Sequence, residues 1–443
     1  MTAAVAPALL LLIVRTEVLT LAAAEERAVK HQPALIQADQ AAAASEARGV
    51  EARATLLPQV TATAGYRRGT GNRNLRVGLV PTYAATGTGG QSSQIFDYLS
   101  TNVTATQLLY DFGQSTGAWR AARAHAAAAR DEVRATVGEI LLNVRLAFIN
   151  ARIQEGILAV ARENLSNRRR HLDQIQGFVG AQVRPPIDLA QARADVGNAE
   201  LRLLSAENER ALADADLAQA MGGTTGGAYT LAEDDVPSVA DEEASQEQLL
   251  CQATRQRADL SALDRQLFAD QQSLSAARGS FGPKVYLSAS VTDSGPLWTP
   301  GPFDGRNLRW NYYALLSVSW PIFEGLRSQG LVNEMKAAMG QTVASRSQLL
   351  LTAGVEIERA RRTIATAKEA IRVSDMTVES ARERLNLAEG RYRAGAGTVL
   401  ELADAQLGLV AAEVAQVQTH FALSVARARL LHALGDTKVA AQQ

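Results

Sequence analysis

The chain of 443 residues contains one cysteine, which excludes a disulfide framework, a thiolate zinc site and an iron–sulfur cluster. Aromatic residues are only 5% of it, too few for bulky globular cores. No stretch reaches the ~18 to 20 consecutive apolar residues of a membrane-spanning helix. The longest apolar run, Ala3 to Val14, has signal-peptide length but no basic segment before it, and Arg15 follows. Residues 1–19 are therefore read as an export-signal remnant. Charge of one sign is also missing: 45 Lys+Arg face 46 Asp+Glu, which excludes a chain-wide basic surface and a nucleic-acid partner. The Gly-rich runs lack the Lys-Ser/Thr that completes a phosphate loop. His31, His125, His171, His420 and His432 are scattered, so no metal site or cofactor is expected. No acid, base and nucleophile converge, and the chain is not read as an enzyme.

What is abundant is alanine, nearly one residue in five. Its high helix propensity and small side chain suit long, closely packed helices. The second abundance is internal repetition. Pro58 of Leu56-Leu57-Pro58-Gln59-Val60 matches Pro283 of Gly282-Pro283-Lys284-Val285 at an offset of 225 residues. Tyr110-Asp111 matches Phe323-Glu324 at an offset of 213, and that offset holds without a gap to Met221-Gly222 and Leu434-Gly435. The chain is thus one unit written twice, over 20–222 and 245–435, with a Gly-rich then acidic connector at 223–244 and a tail at 436–443.

Each copy reads helix, strand, loop, strand, long helix, short turn, helix. The first helix is expected over Thr20–Ala54 and again over Ser245–Arg278, where Ser245 and Gln248 form a capping-box pattern. Pro58 and Pro283 stop these helices and open strands. Val60, Ala62, Ala64 and Tyr66 alternate with Thr61, Thr63 and Gly65; Ala314, Leu316, Val318 and Trp320 alternate with Ser317 and Ser319. Thr86 to Gly90 and Pro296 to Arg306 read as hairpin loops. The helix at about 327–394 would be on the order of 100 Å long. The last helix carries two heptad stripes, one through Leu402, Ala405, Leu409 and Ala412 and one through Leu400, Ala403, Leu407 and Val410, roughly 160° apart. A helix with two opposed stripes has a neighbour on each side, as in a curved wall. Four strands are too few to close a membrane barrel, which begins at about eight, so closure needs several chains. An extended helical stalk or adhesin-like surface protein is the alternative; it leaves the alternating strands unexplained.

Taken together, Leu56-Leu57-Pro58-Gln59-Val60, the strand exits Tyr110-Asp111-Phe112-Gly113 and Ile322-Phe323-Glu324-Gly325, and the stretch from Tyr392 to Ala405 resemble the TolC-like outer-membrane efflux protein family (outer-membrane factors). The resemblance spans Thr20 to Gly435 and implies a mainly α fold with a β-barrel part: a duplicated helix–β-hairpin–helix repeat whose long α-helical barrel continues into a trimeric 12-stranded transmembrane β-barrel. It implies a homotrimer in outer-membrane lipid of a Gram-negative bacterium, extending into the periplasm. Its partners would be a periplasmic adaptor and an inner-membrane transporter, in a tripartite efflux pump or type I secretion system that it serves as a passive conduit. Many relatives carry an N-terminal lipidated cysteine; here the one cysteine, Cys251, falls inside a helix and is read as a packing residue.

The same resemblance places functional residues. Glu401 and Asp404, three apart on one helix face, match an acidic ring at the periplasmic aperture, although Thr398-x-x-Glu401 is also a capping-box pattern and Asp188 also suits a helix start. Tyr392 and Asp188 match the tyrosine and aspartate of a latch that holds the entrance shut. The matching arginine position is Gly397, which leaves Arg184 and Arg393 as substitutes. Gly180, Ala181, Gln182, Val183, Ala394, Gly395, Ala396 and Gly397 form the turns expected to dock the adaptor. Tyr66, Tyr110, Trp310, Tyr312, Tyr313 and Trp320 are aromatics suited to the membrane interface.

Overall fold

The structure, a computed structural model, describes residues 17–70, 95–223, 229–239, 242–296 and 309–438. The loops expected around Thr86–Gly90 and Pro296–Arg306, Trp298 and most of the export-signal remnant lie outside the described residues, apart from Pro296 itself at a strand end. The element order is β1 (Glu17–Leu19), α1 (Leu21–His31), α2 (Pro33–Ala54), β2 (Gln59–Thr70), β3 (Ile95–Tyr110), α3 (Gln114–Gly180), α4 (Pro186–Ala220), β4 (Tyr229–Leu231), α5 (Gln246–Gln256), α6 (Ala258–Gly279), β5 (Lys284–Pro296), β6 (Arg309–Ser319), α7 (Arg327–Arg393) and α8 (Val399–Leu434). Among the described residues no helix is long and apolar enough to cross a membrane. The chain divides into two compact units, one of Met1–Ala42, Ala128–Asp264 and Ala344–Gln443, the other of Ala43–Ala127 and Arg265–Val343.

The second unit contains one antiparallel sheet in the order β2-β3-β5-β6. Register separates its faces. Thr61, Thr63, Asn102, Thr104, Ser288, Ser290 and Thr292 share one face, where Asn102 Oδ1 accepts from Ser290 Oγ at 2.6 Å and Thr292 Oγ1 at 3.1 Å. Val60, Ala62, Ala64, Tyr66, Val103, Leu287, Ala289, Val291, Trp310, Tyr312, Leu316 and Val318 share the other. Tyr110, opposite Val285, belongs with this apolar face, whereas Tyr313 stands opposite Ser290 on the polar one. Strand parity sets Tyr313 apart from the other aromatics: an odd step on β6 turns a side chain to the other face. The strand exits are sharp. Phe112 and Gly113 both have positive φ, and Asp111 Oδ2 accepts the Ser115 amide at 2.7 Å to start α3. Gly325 and Leu326 repeat the positive-φ pair ahead of α7.

In the first unit, β1 and β4 pair in parallel, Leu19 against Leu231, over a core of Ala24, Ala28, Val144, Phe148, Leu217 and Val236. Glu25 and Arg145 lie inside it, 0% and 2% exposed, with Arg145 Nε donating to Glu25 Oε1 at 2.6 Å. Arg145 Nη2 also donates to the Lys438 carbonyl at 3.1 Å and lies 3.7 Å from Asp436. Small residues recur every seven along the long helices: Ala192, Ala199, Ala206 and Ala213 on α4, Ala405, Ala412, Ala426 and Ala433 on α8, and Ala353, Ala360 and Ala367 on α7 are all buried. Cys251, expected to pack, is instead exposed; on α5 the buried positions are Leu249 and Ala253, and residue 251 falls between them on the other side of the helix.

The helices expected to run unbroken over Thr20–Ala54 and Ser245–Arg278 are each interrupted. Gln32 leaves the helical region (ψ 118°) because Pro33 disfavours it in the preceding residue. Arg257 does the same (ψ 119°) with no proline after it. Each break receives a glycine that ends another helix. A Cβ on Gly222 would lie 2.7 Å from the His31 carbonyl, and one on Gly435 would lie 2.7 Å from Arg257 Cα; both glycines have positive φ, +75° and +83°. The backbone conformation alone costs an alanine about 1–2 kcal/mol, and the clash adds to it. Gly222→Ala and Gly435→Ala are each expected to destabilise the fold by at least about 2 kcal/mol, to be read from denaturant unfolding of the purified protein. Gly177→Ala, at an exposed helical position where nothing lies within 4 Å of the added Cβ, serves as the contrast and should instead gain up to about 1 kcal/mol.

The connector is held by charge. Glu242 receives Arg427 at 3.0 Å and Lys368 at 2.8 Å, and Ser424 reaches Asp235 at 3.3 Å. The Arg427 hydrogen bonds, opposed by burial and aided by Lys368, lower the Glu242 carboxyl from 4.5 to about 2. A lowered folded-state value means that this clamp contributes fully above pH 4.5 and loses its contribution as pH falls toward about 2. Glu242→Gln is expected to remove that segment of the stability–pH profile, a flattening that acid titration of the unfolding midpoint would detect.

Candidate functional site

The turns between α3 and α4 and between α7 and α8 lie in the first unit and pack against each other. Both are Schellman turns. The Val183 amide returns to the Phe178 carbonyl at 2.9 Å and that of Gln182 to Val179 at 3.0 Å; Ala396 returns to Arg391 at 2.9 Å and Gly395 to Tyr392 at 3.1 Å. Glycine supplies the left-handed residue in the second turn (Gly395, φ +77°), whereas Gln182 occupies it in the first (φ +61°). Gly180, Ala181, Gln182, Val183, Ala394, Gly395 and Ala396 are exposed. Gly397 is not: its amide folds back to the Arg391 carbonyl at 3.0 Å, burying it under the end of α7. It is therefore not part of the exposed surface of this turn.

Beneath the turns, Ile175, Ala192, Ala388, Tyr392, Leu402 and Ala405 form a core from four helices. Tyr392 is 2% and Asp188 6% exposed, and the Tyr392 hydroxyl donates to Asp188 Oδ2 at 3.1 Å. Burial first, then the Asp188 charge, raise the Tyr392 phenol above its usual 10.0, so it stays a donor. The Asp188 carboxylate goes to Tyr392, while the start of α4 has Pro185 at the N-cap and no side-chain cap. Of the two candidate arginines, Arg184 is the one that arrives. Its guanidinium lies 4.2 Å over the Tyr392 ring and donates to the Tyr392 carbonyl. Arg393 turns away to Glu389 at 2.8 Å.

Two neighbours carry no signal in local sequence. His171 meets the Tyr392 ring edge-on at 5.8 Å, and burial, then Arg168, hold it below the usual 6.5. Arg168, buried, joins α3 to Asp195 of α4 at 3.4 Å and Gln406 of α8 at 2.5 Å. At the start of α8, Thr398 accepts the Glu401 amide at 3.1 Å, but the reciprocal half of the expected capping box is absent: the Glu401 carboxylate lies 3.4 Å from Arg391 Nε. Asp404 is exposed. The described residues hold no group of His, Cys, Asp or Glu that would bind a metal ion. In the second unit, Tyr66, Tyr110, Trp310, Tyr312, Tyr313 and Trp320 are each more than half exposed, and Trp320 donates its indole N–H to the Phe281 carbonyl at 3.0 Å.

The family model described as "Outer membrane efflux protein" matches residues 25–223 and 249–436. The chain belongs to the outer membrane efflux protein family. Family membership makes it a Gram-negative outer-membrane protein. The pyoverdine export outer membrane protein OpmQ of Pseudomonas aeruginosa is 28% identical over 396 residues, 88% of this chain and 80% of that protein. The outer membrane protein OprJ of the same species is 25% identical, over 86% of this chain and 80% of OprJ. The crystal structure of the outer membrane protein VceC from Vibrio cholerae shares the fold with a TM-score of 0.80 at 22% identity, covering 94% of this chain and 96% of that one.

Proposed function

We propose that three copies of this chain form the outer-membrane exit duct of a tripartite efflux pump or type I secretion system, passively conducting substrate delivered by a periplasmic adaptor and an inner-membrane transporter. The observation that carries this reading is the open sheet. β2 and β6 each have one edge without a strand partner among the described residues, and at 12 and 11 residues both are long enough for the ~9–11 that span a bilayer. Backbone groups left unpaired in lipid are costly, so such edges must close on other chains. Three copies would give a barrel of twelve strands, polar face inward and apolar face to lipid. The two copies of the sequence unit, 20–222 and 245–435, would supply its hairpins and a helical wall, with 223–244 as the equatorial connector. Glu401 and Asp404 would ring the periplasmic aperture, Asp188, Tyr392 and Arg184 would latch it, and the exposed turn residues would dock the adaptor. A passive duct needs no chemistry of its own, which agrees with a family of channel proteins. An extended stalk has no use for a two-faced sheet with open edges.

The test is oligomeric state and edge pairing. In a Cys251→Ser background, one cysteine on β2 (Ala62→Cys) and one on β6 (Leu316→Cys) should crosslink between chains into a trimer in detergent. A monomer, or crosslinks confined to one chain, would defeat the proposal.

A further inference from the structure

We infer that Arg391 is a selectivity-determining residue of the periplasmic aperture, neutralising Glu401 within the same chain and leaving Asp404 as the charge a permeating ion meets. This rests on the proposed placing of Glu401 and Asp404 at the aperture. Arg391 Nε lies 3.4 Å from Glu401 Oε1, and the same guanidinium reaches the Ala396 carbonyl at 3.5 Å, so its head is tethered across the turn that joins α7 to α8. The turn creates this meeting. The Ala396 and Gly397 amides both return to the Arg391 carbonyl, reversing the chain and bringing the first turn of α8 beside the last turn of α7. The Glu401 carboxylate does not turn back to accept from the Thr398 backbone amide, and Arg391 meets it instead. Arg393, the other arginine at this end, is occupied by Glu389 at 2.8 Å and does not compete.

The pair is open to water, with side chains 60% and 41% exposed, so its contribution to stability is small. Its effect on a narrow pore is not small. Ions passing within about 8 Å, the screening length at physiological salt, feel the local sum of charge. Arg391 halves that sum, from two negative charges per chain to one. It also takes one of two carboxylates that, three residues apart on one helix face, would otherwise be available together to a divalent cation. The aperture is thereby set for weak cation preference and weak divalent retention.

The experiment measures reversal potentials in a salt gradient, and half-blocking Mg²⁺ concentrations, for the full-length channel in planar bilayers. Arg391→Gln should raise the cation-to-anion permeability ratio about twofold or more and lower the half-blocking Mg²⁺ concentration several-fold. Arg391→Lys should keep the wild-type ratio, and Arg391→Gln with Glu401→Gln should return to it. If Arg391→Gln leaves both readouts unchanged while Asp404→Asn lowers the ratio, this inference fails and the acidic aperture stands. If Glu401→Gln and Asp404→Asn also change nothing, the aperture assignment itself fails.

Discussion

Glu25→Ala is expected to cost about 3–5 kcal/mol, because it strands the Arg145 guanidinium in a core where only backbone and a more distant carboxylate remain to it. Arg145 is 2% exposed, its closest carboxylate is Glu25 at 2.6 Å, and the next, Asp436, stands at 3.7 Å. The pair joins α1 to α3 and, through the Lys438 carbonyl, draws in the segment that follows α8. Burying both ions is itself expensive, so the pair is weak evidence of net stability, whereas separating its members is strongly unfavourable. The double substitution Glu25→Leu with Arg145→Met should consequently be less damaging than Glu25→Ala alone. Denaturant titrations of the three proteins decide it: a single mutant within about 1 kcal/mol of wild type would show that the arginine finds water or another partner.

Asp188→Ala and Tyr392→Phe are expected to open the aperture. Each deletes one side of a buried hydrogen bond to a carboxylate, an interaction of about 1.5–3 kcal/mol, and leaves the other partner unsatisfied. If the bond exists in the closed state only, the closed-to-open ratio falls on the order of ten- to a hundredfold in each chain. Single-channel conductance in planar bilayers should rise accordingly, with longer open dwell times. Arg184→Ala should give a smaller rise, since the ring contact and a carbonyl bond are lost but Tyr392–Asp188 remains. Conductance unchanged in both Asp188→Ala and Tyr392→Phe would remove these residues from gating and leave them as packing of the turn.

Most of the architecture was legible from local pattern. Alternation drew the strands and proline and glycine drew the turns, whereas the pairing of Tyr392 with Asp188 came from the family resemblance alone. What was not legible is non-local. The break at Arg257 has no proline to announce it; Gly435, far away in sequence, fills the space it opens. Pro33 did announce the other break, but the apolar pattern continued across it. The Thr398-x-x-Glu401 pattern was half right: Thr398 caps the Glu401 amide, but the Glu401 carboxylate lies beside Arg391, a contact across the turn that the local pattern does not show. Tyr313 was grouped by residue type although parity assigns it to the polar face. Cys251 shows the same weakness, a packing role inferred from composition where the helix face decides.

The buried alanines at seven-residue spacing on α4, α7 and α8 have a consequence for calibre. Helix axes pack about 8–10 Å apart, and the side chains at the contact decide where in that range they fall. In a closed ring of helices the circumference is the number of members multiplied by that spacing. A duct built from this chain would therefore have its bore written in methyl groups. Exchanging one rung of the ladder for a leucine would widen the pipe locally rather than merely crowd a core, and sieving of solutes by size would register it.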